Sequence, residues 1–338
     1  MVNLPADFIR KYAELGALAP LDTLLSPEVQ ASYLPAAVDP LTMDGATYAV
    51  PWYLSTQIVI YDRARLEAAG FDTPPQTYDE LLAFAHTFHE RTGDYAFFTN
   101  LIVESDLIEV LEAEGVPVVN EDQTRAAFNT PRGREVLAAW RDAFRSGTMP
   151  RESIAQPRSA ALRLYQSGTI ALFTGGPQFL RIVEENAPSL FADTDVAPAI
   201  VGAEGSRNLA VMSLAVANRS ANPQAAADWA AFVTNGPNQL AFSRIVPVFP
   251  SVTSTLSDPY FTSDDSTLIG RARGIAAGQL IGSRVLKPSL SNYNRLQESF
   301  KSSLLRTFKD DRSLDDAMAE AQEDWNKILE EGARYESR

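Results

Sequence analysis

The chain has 338 residues, which is more than one hydrophobic core usually contains and suits two domains. Its formal net charge of −14 argues against nucleic acids and anionic membranes as partners, because both bind basic surfaces. It contains no cysteine, so disulfide bonds, thiolate metal sites and a cysteine nucleophile are excluded as well.

Hydrophobic periodicity and cap residues predict alternating strands and helices. In chain order, the predicted strands cover 2–4, a stretch from the Asp44-Gly45 turn to Pro51, 58–61, 95–99, 170–174, 196–199 and 209–217. The predicted helices cover 6–15, 63–69, 78–91, 131–147, 223–233 and 313–330. Thr77 and Glu80 form a capping box before the helix at 78–91. Strands that alternate with helices of this length predict α/β layers.

The segment between 44 and 62 carries the strongest functional signal in the sequence. Two adjacent aromatic residues, Trp52 and Tyr53, follow the first of two predicted strands, with Ser55, Thr56 and Gln57 close behind. A plain connection would carry Gly, Asn or Asp at this place. Flat rings beside short hydrogen-bonding groups suit a polar, ring-shaped ligand such as a sugar. An aromatic pair packed on its own sheet is the structural alternative.

The same segment belongs to a long match with a known family. Residues 44–85, DGATYAVPWYLSTQIVIYDRARLEAAGFDTPPQTYDELLAFA, strongly resemble the extracellular solute-binding proteins of sugar-type ABC importers. The likeness continues through 162–176, 207–220, 223–250 and 314–329, so it covers essentially the whole chain. Residues 2–18 are similar to the third strand of the family and the helix after it. We therefore expect that truncation has removed the opening strand–helix–strand–helix segment of the family.

The resemblance implies an α/β fold of two lobes, the type II periplasmic binding protein-like fold, with lobe one incomplete. Lobe one would hold 1–56 and 215–248, and lobe two would hold 62–207 and 254–338. Crossovers between the lobes are expected near 56–61, 208–214 and 246–253. A cleft between hinged lobes is a common place for a small ligand, so we expect the lobes to close around it.

The resemblance also implies which side chains contact the ligand. The implied ligand-binding residues are Asp7, Trp52, Tyr53, Ser55, Asn100, Gly176, Gln178, Arg207, Asn208, Tyr293 and Gln297. Aromatic rings would cover the apolar face of a sugar, and the polar groups would bond its hydroxyl rim. Tyr293 and Gln297 are four residues apart on one helix and therefore share a face.

Some of these positions have a structural alternative. Asp7 also fits a helix N-terminal charge that the helix dipole stabilises, and Arg207 also fits an exposed loop arginine. After the strand at 170–174 the family usually has an aromatic residue, often Trp. This chain has Gln178 or Phe179 there, so it departs from the family at the position that would supply a stacking ring in lobe two.

The other three tryptophans follow the apolar spacing of predicted helices. We expect Trp140 to be a core residue, and the same interpretation applies to Trp229 together with Phe232 and Val233. Trp325 is expected to pack in the terminal helix. None of these rings is predicted to contact a ligand.

An enzyme is not predicted. The sequence has no Gly-x-Ser-x-Gly nucleophile motif and no phosphate-binding glycine motif, and Gly175-Gly176-Pro177 lacks the lysine of a phosphate loop. Glu104 and Asp106 could supply a glycosidase carboxylate pair only at a separation that sequence does not show. The two histidines, His86 and His89, lie on one predicted helix with no third ligand nearby, so we expect a solvated face and no metal.

These observations predict the substrate-binding component of a bacterial ABC importer, which captures an oligosaccharide or disaccharide and delivers it to permease subunits. The alternatives are the same fold binding glycerol phosphate or a polyamine, a sensory or adhesion module, and a truncated product that binds nothing. The resemblance implies a periplasmic protein or a cell-surface lipoprotein, although Met1–Pro5 does not have the pattern of a signal peptide. We expect a monomer without a cofactor.

Overall fold

The computed structural model describes residues 1–263, 265–310 and 312–336, and the chain forms two compact units. Unit 1 contains Met1–Thr56 and Arg207–Ser291, and unit 2 contains Gln57–Ser206 and Asn292–Arg338. The chain therefore passes from one unit to the other after residues 56, 206 and 291. The third crossover therefore lies after residue 291 and not near 246–253, because residues 254–291 belong to unit 1.

The secondary structure of the described residues alternates between strands and helices. The strands are β1 (Val2–Pro5), β2 (Thr42–Met43), β3 (Ala46–Thr47), β4 (Ala49–Thr56), β5 (Ile58–Asp62), β6 (Tyr95–Phe97), β7 (Ile170–Gly175), β8 (Thr194–Pro198), β9 (Leu209–Ala215) and β10 (Phe249–Pro250). All the predicted strands are present. Their ends lie within a few residues of the predicted ends, except for the strand end predicted at Pro51.

Helices make up most of the remaining regular structure in the described part of the chain. They are α1 (Ala6–Glu14), α2 (Pro27–Ala31), α3 (Pro35–Val38), α4 (Arg63–Ala68), α5 (Tyr78–Thr92), α6 (Asp106–Ala113), α7 (Pro131–Arg145), α8 (Ala160–Gln166), α9 (Phe179–Asn186), α10 (Pro188–Phe191), α11 (Pro223–Val233), α12 (Gly236–Ile245), α13 (Pro259–Thr262), α14 (Leu268–Leu280), α15 (Tyr293–Lys309) and α16 (Leu314–Glu336). Within the described residues, no helix has the length and apolar character needed to cross a bilayer.

The sheet of unit 1 has the order β1-β9-β4-β10, and all of its neighbouring strands are antiparallel. β4 pairs with β9 on one side and with β10 on the other. Its register against β9 shifts between Pro51 and Tyr53, so the chain has a β-bulge at Trp52. The predicted strand end at Pro51 is therefore wrong. β4 continues to Thr56, because a bulge accommodates a proline that cannot donate to the ladder.

Hydrogen bonds explain why residues 254–291 belong to unit 1. The Gln279 side chain on α14 donates to the Thr56 hydroxyl at 3.2 Å. The Leu209 amide at the start of β9 donates to the Arg284 carbonyl at 2.9 Å. These bonds join α14 and the segment after it to the two strands at the centre of the unit 1 sheet.

The sheet of unit 2 has the order β6-β7-β5-β8, with β6 parallel to β7 and the other pairs antiparallel. Every residue of β5 is buried, which fits the apolar residues 58–60 and the place of β5 between β7 and β8. Trp140 and Trp325 are buried in helices of this unit, as the apolar spacing predicts. The Trp325 ring lies 5.0 Å from that of Phe128, and its indole N–H donates to the Leu296 carbonyl at 2.8 Å.

The core assignment of α11 is wrong for its two aromatic residues. Trp229 is 53% exposed and Phe232 is 54% exposed, and their rings stack on each other at 5.4 Å. The buried face of α11 is formed by the small residues Ala227 and Ala230 instead. α11 is apolar on more than one face, so spacing alone does not indicate which face is covered.

The local signals at helix ends are confirmed. Thr77 accepts a hydrogen bond from the Glu80 amide at 3.2 Å, and Glu80 accepts one from the Thr77 amide at 3.3 Å. Gly93 ends α5 with a left-handed φ of 76°. The Asp44-Gly45 turn between β2 and β3 has φ values of 53° and 78°, as a type I′ hairpin requires.

Thr77→Ala should lower the free energy of unfolding by about 1 kcal/mol, because the Glu80 amide loses its cap. Thr77→Ser is the matched control, since it keeps the hydroxyl and should retain most of the stability. Urea unfolding followed by circular dichroism measures both variants. An equal loss in Thr77→Ser and Thr77→Ala would contradict a capping role.

Candidate functional site

In unit 1, β4 carries two partly buried aromatic side chains that lie close together. The Trp52 and Tyr53 ring centroids are 5.1 Å apart in an edge-to-face arrangement. Phe242 on α12 completes the group: its ring is stacked on Trp52 at 5.4 Å with planes 11° apart, and lies 5.9 Å from Tyr53. The three rings form what we call the aromatic cluster.

The bulge at Trp52 explains how neighbouring residues can share a cluster. In a regular strand, adjacent side chains point to opposite faces of the sheet. A bulge inserts one residue and changes the direction of its side chain. Trp52 and Tyr53 can therefore both contact Phe242, which an unbroken strand would not allow. Ser55 is two residues beyond Tyr53 and so lies on the same face of β4.

The other unit 1 residues implied as ligand contacts make bonds within the unit. The Asp7 carboxylate accepts a hydrogen bond from Lys287 and forms an ion pair with it. The Asn208 side-chain oxygen accepts from the Leu286 amide at 3.2 Å. The Nε atom of Arg207 is buried and makes no hydrogen bond within the described residues. The ion pair with Lys287 is therefore a second structural reason for an aspartate at position 7, in addition to stabilisation by the helix dipole.

In unit 2, Asn100 organises the loop after β6. It is fully buried. Its side-chain oxygen accepts from the Glu104 amide at 2.6 Å, its side-chain nitrogen donates to the Gln156 carbonyl, and its backbone amide donates to Asp106 at 3.1 Å. These bonds give Asn100 a structural role, because its side-chain oxygen and nitrogen each have a partner within the protein.

Asp106 belongs to an ionic cluster at the start of α6. The Arg158 guanidinium donates to Asp106 at 3.1 Å and to Glu109 at 3.1 Å. The Arg158 backbone amide donates to the Glu104 carboxylate at 2.7 Å. Burial raises the pKa of Asp106 to about 6, because desolvation of the carboxylate and the nearby Glu109 outweigh the attraction of Arg158.

The turn between β7 and α9 contains the residues that replace the usual aromatic ring of the family. Gly176 is buried, and Gln178 is exposed. A Cβ atom at Gly176 would lie 2.6 Å from the Gln178 side-chain nitrogen, so a larger residue there would require the exposed Gln178 side chain to move. The Phe179 ring packs edge-to-face against Phe173 at 6.2 Å. Phe179 therefore contributes to packing in this unit.

Tyr293 and Gln297 occupy the first turns of α15. Tyr293 is buried, whereas the Gln297 side chain donates to the Glu104 carbonyl. Gln297 and Asn100 therefore both bond the same residue of the loop after β6. No group of three or more His, Asp or Glu side chains within the described ranges has a geometry that could hold a metal ion.

The structure adds Phe242 to the residues implied by sequence. It lies within the stretch 223–250, which resembles the family, but its contact with β4 crosses almost 190 residues. A short-range pattern does not predict such a contact. The sequence indicates only that Phe242 is an aromatic residue of that stretch, which does not identify its partner.

A comparison with protein families identifies the group. The model of the bacterial extracellular solute-binding proteins matches residues 1–267, which is most of the chain. The chain belongs to this family. The α/β fold predicted from sequence is confirmed by a solved structure from Synechococcus sp. MITs9220, provisionally described as an oligosaccharide periplasmic-binding protein in complex with zinc. It is 35% identical with a TM-score of 0.90, over 97% of this chain and 84% of that one.

Two curated relatives of this solute-binding protein carry provisional descriptions. A binding protein of Brucella abortus (strain 2308) is 24% identical over 200 residues, which are 58% of this chain and 48% of the relative. An ABC transporter-binding protein of Deinococcus radiodurans is 24% identical over 223 residues, which are 63% of this chain and 53% of the relative. The matches thus span about half the length of these curated relatives.

The carboxyl group of Asp106 should titrate near pH 6 in a ¹³C NMR titration, above the ordinary value of about 3.9. Asp106→Asn identifies the signal. Arg158→Gln should raise the pKa further, because the guanidinium stabilises the carboxylate. Between about pH 4 and 6 the folded state binds more protons at this group than the unfolded state, so its contribution to stability falls as pH rises. A pKa near 4 would contradict this account.

Proposed function

We propose that this solute-binding protein is the substrate-binding component of a bacterial ABC importer. It captures a carbohydrate, an oligosaccharide or disaccharide, and delivers it to the membrane permease. The observation that carries this proposal is the aromatic cluster on β4, with Ser55 on the same face as Tyr53. Family membership and the provisional descriptions of the Synechococcus and Deinococcus radiodurans proteins support it.

The chemistry of the aromatic cluster fits a sugar. A pyranose has an apolar C–H face that a flat ring can cover, and a rim of hydroxyl groups that need hydrogen-bond partners. Phe242 covers one face of the Trp52 indole, so in this proposal the sugar stacks on the opposite face or on Tyr53. Amide groups and hydroxyl groups such as that of Ser55 then hydrogen-bond the hydroxyl rim of the sugar. A ligand without hydroxyls would leave these polar groups unpaired and would bind more weakly.

In this proposal the bound sugar is released unchanged. The acidic residues that could suggest a glycosidase have structural partners: Asp106 binds Arg158, and the Glu104 carboxylate accepts from the Arg158 amide. A general acid and a nucleophile must instead face the scissile bond from two sides. Membership of an extracellular family supports a place of action outside the cytoplasm, and we expect the protein to bind as a monomer.

A panel of sugars tested by thermal shift measures the substrate class. A ligand that binds only the folded state stabilises it by about 2.7 kcal/mol at a hundredfold excess over its dissociation constant. We expect di- or oligosaccharides to raise the melting temperature. Glycerol phosphate and polyamines belong in the same panel, and stabilisation by one of them alone would contradict the carbohydrate assignment. Chromatography after long incubation should return the sugar intact, and cleavage products would contradict binding without turnover.

Trp52→Ala and Tyr53→Ala should each weaken binding of the best sugar by more than about 1 kcal/mol in calorimetry, because each removes a stacking ring. Trp229→Ala is the matched control, since Trp229 is an exposed tryptophan of the same unit outside the aromatic cluster. It should leave the affinity unchanged. If both β4 variants bind as tightly as the unmodified protein, the site is elsewhere.

A further inference from the structure

Gln239, near the start of α12, makes four hydrogen bonds through its side-chain amide group. Its nitrogen donates to the Trp52 carbonyl at 2.7 Å and to the Ser251 hydroxyl at 2.7 Å. Its oxygen accepts from the backbone amides of Ser251 at 2.8 Å and Val252 at 3.1 Å. The side chain is only 2% exposed. One buried amide group therefore joins α12, the bulge in β4 and the segment after β10.

These bonds lie at the residues where the register of β4 against β9 shifts. A bulge leaves an extra residue outside the ladder, and a buried carbonyl without a partner is costly. The Gln239 nitrogen satisfies the carbonyl of the bulged residue, Trp52, directly. The Ser251 hydroxyl donates to the carbonyl of the preceding residue, Pro51, at 2.5 Å. The two side chains together donate to the carbonyl groups of the peptides on both sides of Trp52.

The same helix also holds the ring of Trp52. Phe242 is three residues after Gln239, so both side chains project from one face of α12. Gln239 fixes the backbone of Trp52 and Phe242 stacks on its indole, with planes 11° apart. α12 thus contacts both the backbone and the side chain of the residue that the bulge redirects.

We propose that Gln239 is a positioning residue for carbohydrate binding, which fixes the bulged peptide of Trp52 and thereby sets the orientation of its indole. This inference rests on the proposed function for its consequence in binding. Its structural part, that Gln239 sets the indole orientation, concerns the free protein and is measured without a ligand.

A matched control distinguishes positioning from ordinary stability. Tyr33 and Thr234 form another buried hydrogen bond in unit 1, at 2.6 Å between their side-chain oxygens. Tyr33 belongs to the same hydrophobic core against which Trp52 packs. Thr234→Val removes this bond, and within the described residues neither Thr234 nor Tyr33 has a side-chain hydrogen bond to β4. Gln239→Leu and Thr234→Val should both lower the melting temperature, and only the first should disturb Trp52.

Near-ultraviolet circular dichroism reports the environment of the indole. The contribution of Trp52 is the difference between each variant and the same variant with Trp52→Phe. We expect Gln239→Leu to reduce this contribution strongly and Thr234→Val to leave it as in the unmodified protein. The sugar affinity should fall about tenfold in Gln239→Leu, which is about 1.4 kcal/mol, and should stay within about twofold in Thr234→Val.

Gln239→Glu provides a second test if Gln239→Leu does not fold. It keeps the length of the side chain and an acceptor for the Ser251 and Val252 amides, but the ionised carboxylate cannot donate to the Trp52 carbonyl. It should lose the Trp52 signal at neutral pH and regain part of it when acid restores one donor. A Trp52 signal equal to that of the unmodified protein in Gln239→Leu or in ionised Gln239→Glu would overturn the inference. If no sugar binds the unmodified protein, the proposed function fails, and the dichroism still decides the role of Gln239.

Discussion

The bulge in β4 is the constraint on which the candidate site depends. β4 must keep its ladders with β9 and β10, yet it presents two adjacent rings to the same helix. A regular strand cannot do both, because its side chains alternate between faces. One inserted residue resolves the conflict at the cost of an interrupted ladder. The amide of Gln239 and the hydroxyl of Ser251 then satisfy the carbonyls beside the insertion.

The candidate residues of unit 2 have a different character. Asn100, Asp106 and Gln297 are linked to one another through the loop after β6 and through Glu104. Each makes at least one hydrogen bond to this loop or within it, so each helps to hold the loop in shape. A loop held in this way can position its backbone and the neighbouring side chains for contact with a ligand. The implied roles of Asn100 and Gln297 as direct contacts remain predictions.

Features that depend on neighbouring residues were well predicted from the sequence. The capping box at Thr77 and the turn at Asp44-Gly45 depend on interactions within a few residues, and each is present. The family likeness likewise predicted the fold class, because a long ordered match constrains the whole topology.

Features that depend on distant residues were not predicted. Pro51 has the signature of a strand end, but β4 passes through it because Ser251, 200 residues away, completes the bulge. Trp229 and Phe232 have the spacing of core residues, but Ala227 and Ala230 form the buried face of α11. Lys287 pairs with Asp7 from 280 residues away, a partner that spacing does not predict, and the role of Asp7 as a ligand contact remains a prediction. Sequence spacing specifies a face of a helix or strand and does not specify what covers that face.

The central claim is that a carbohydrate binds on the aromatic cluster of β4. Nuclear Overhauser effects between a bound sugar and aromatic ring protons, in protein that is deuterated except at Trp and Tyr, test it most directly. The account predicts effects from the C–H protons of the sugar to the rings of Trp52 or Tyr53, and none to Trp229. Contacts from a bound sugar that involve neither Trp52 nor Tyr53 would contradict it.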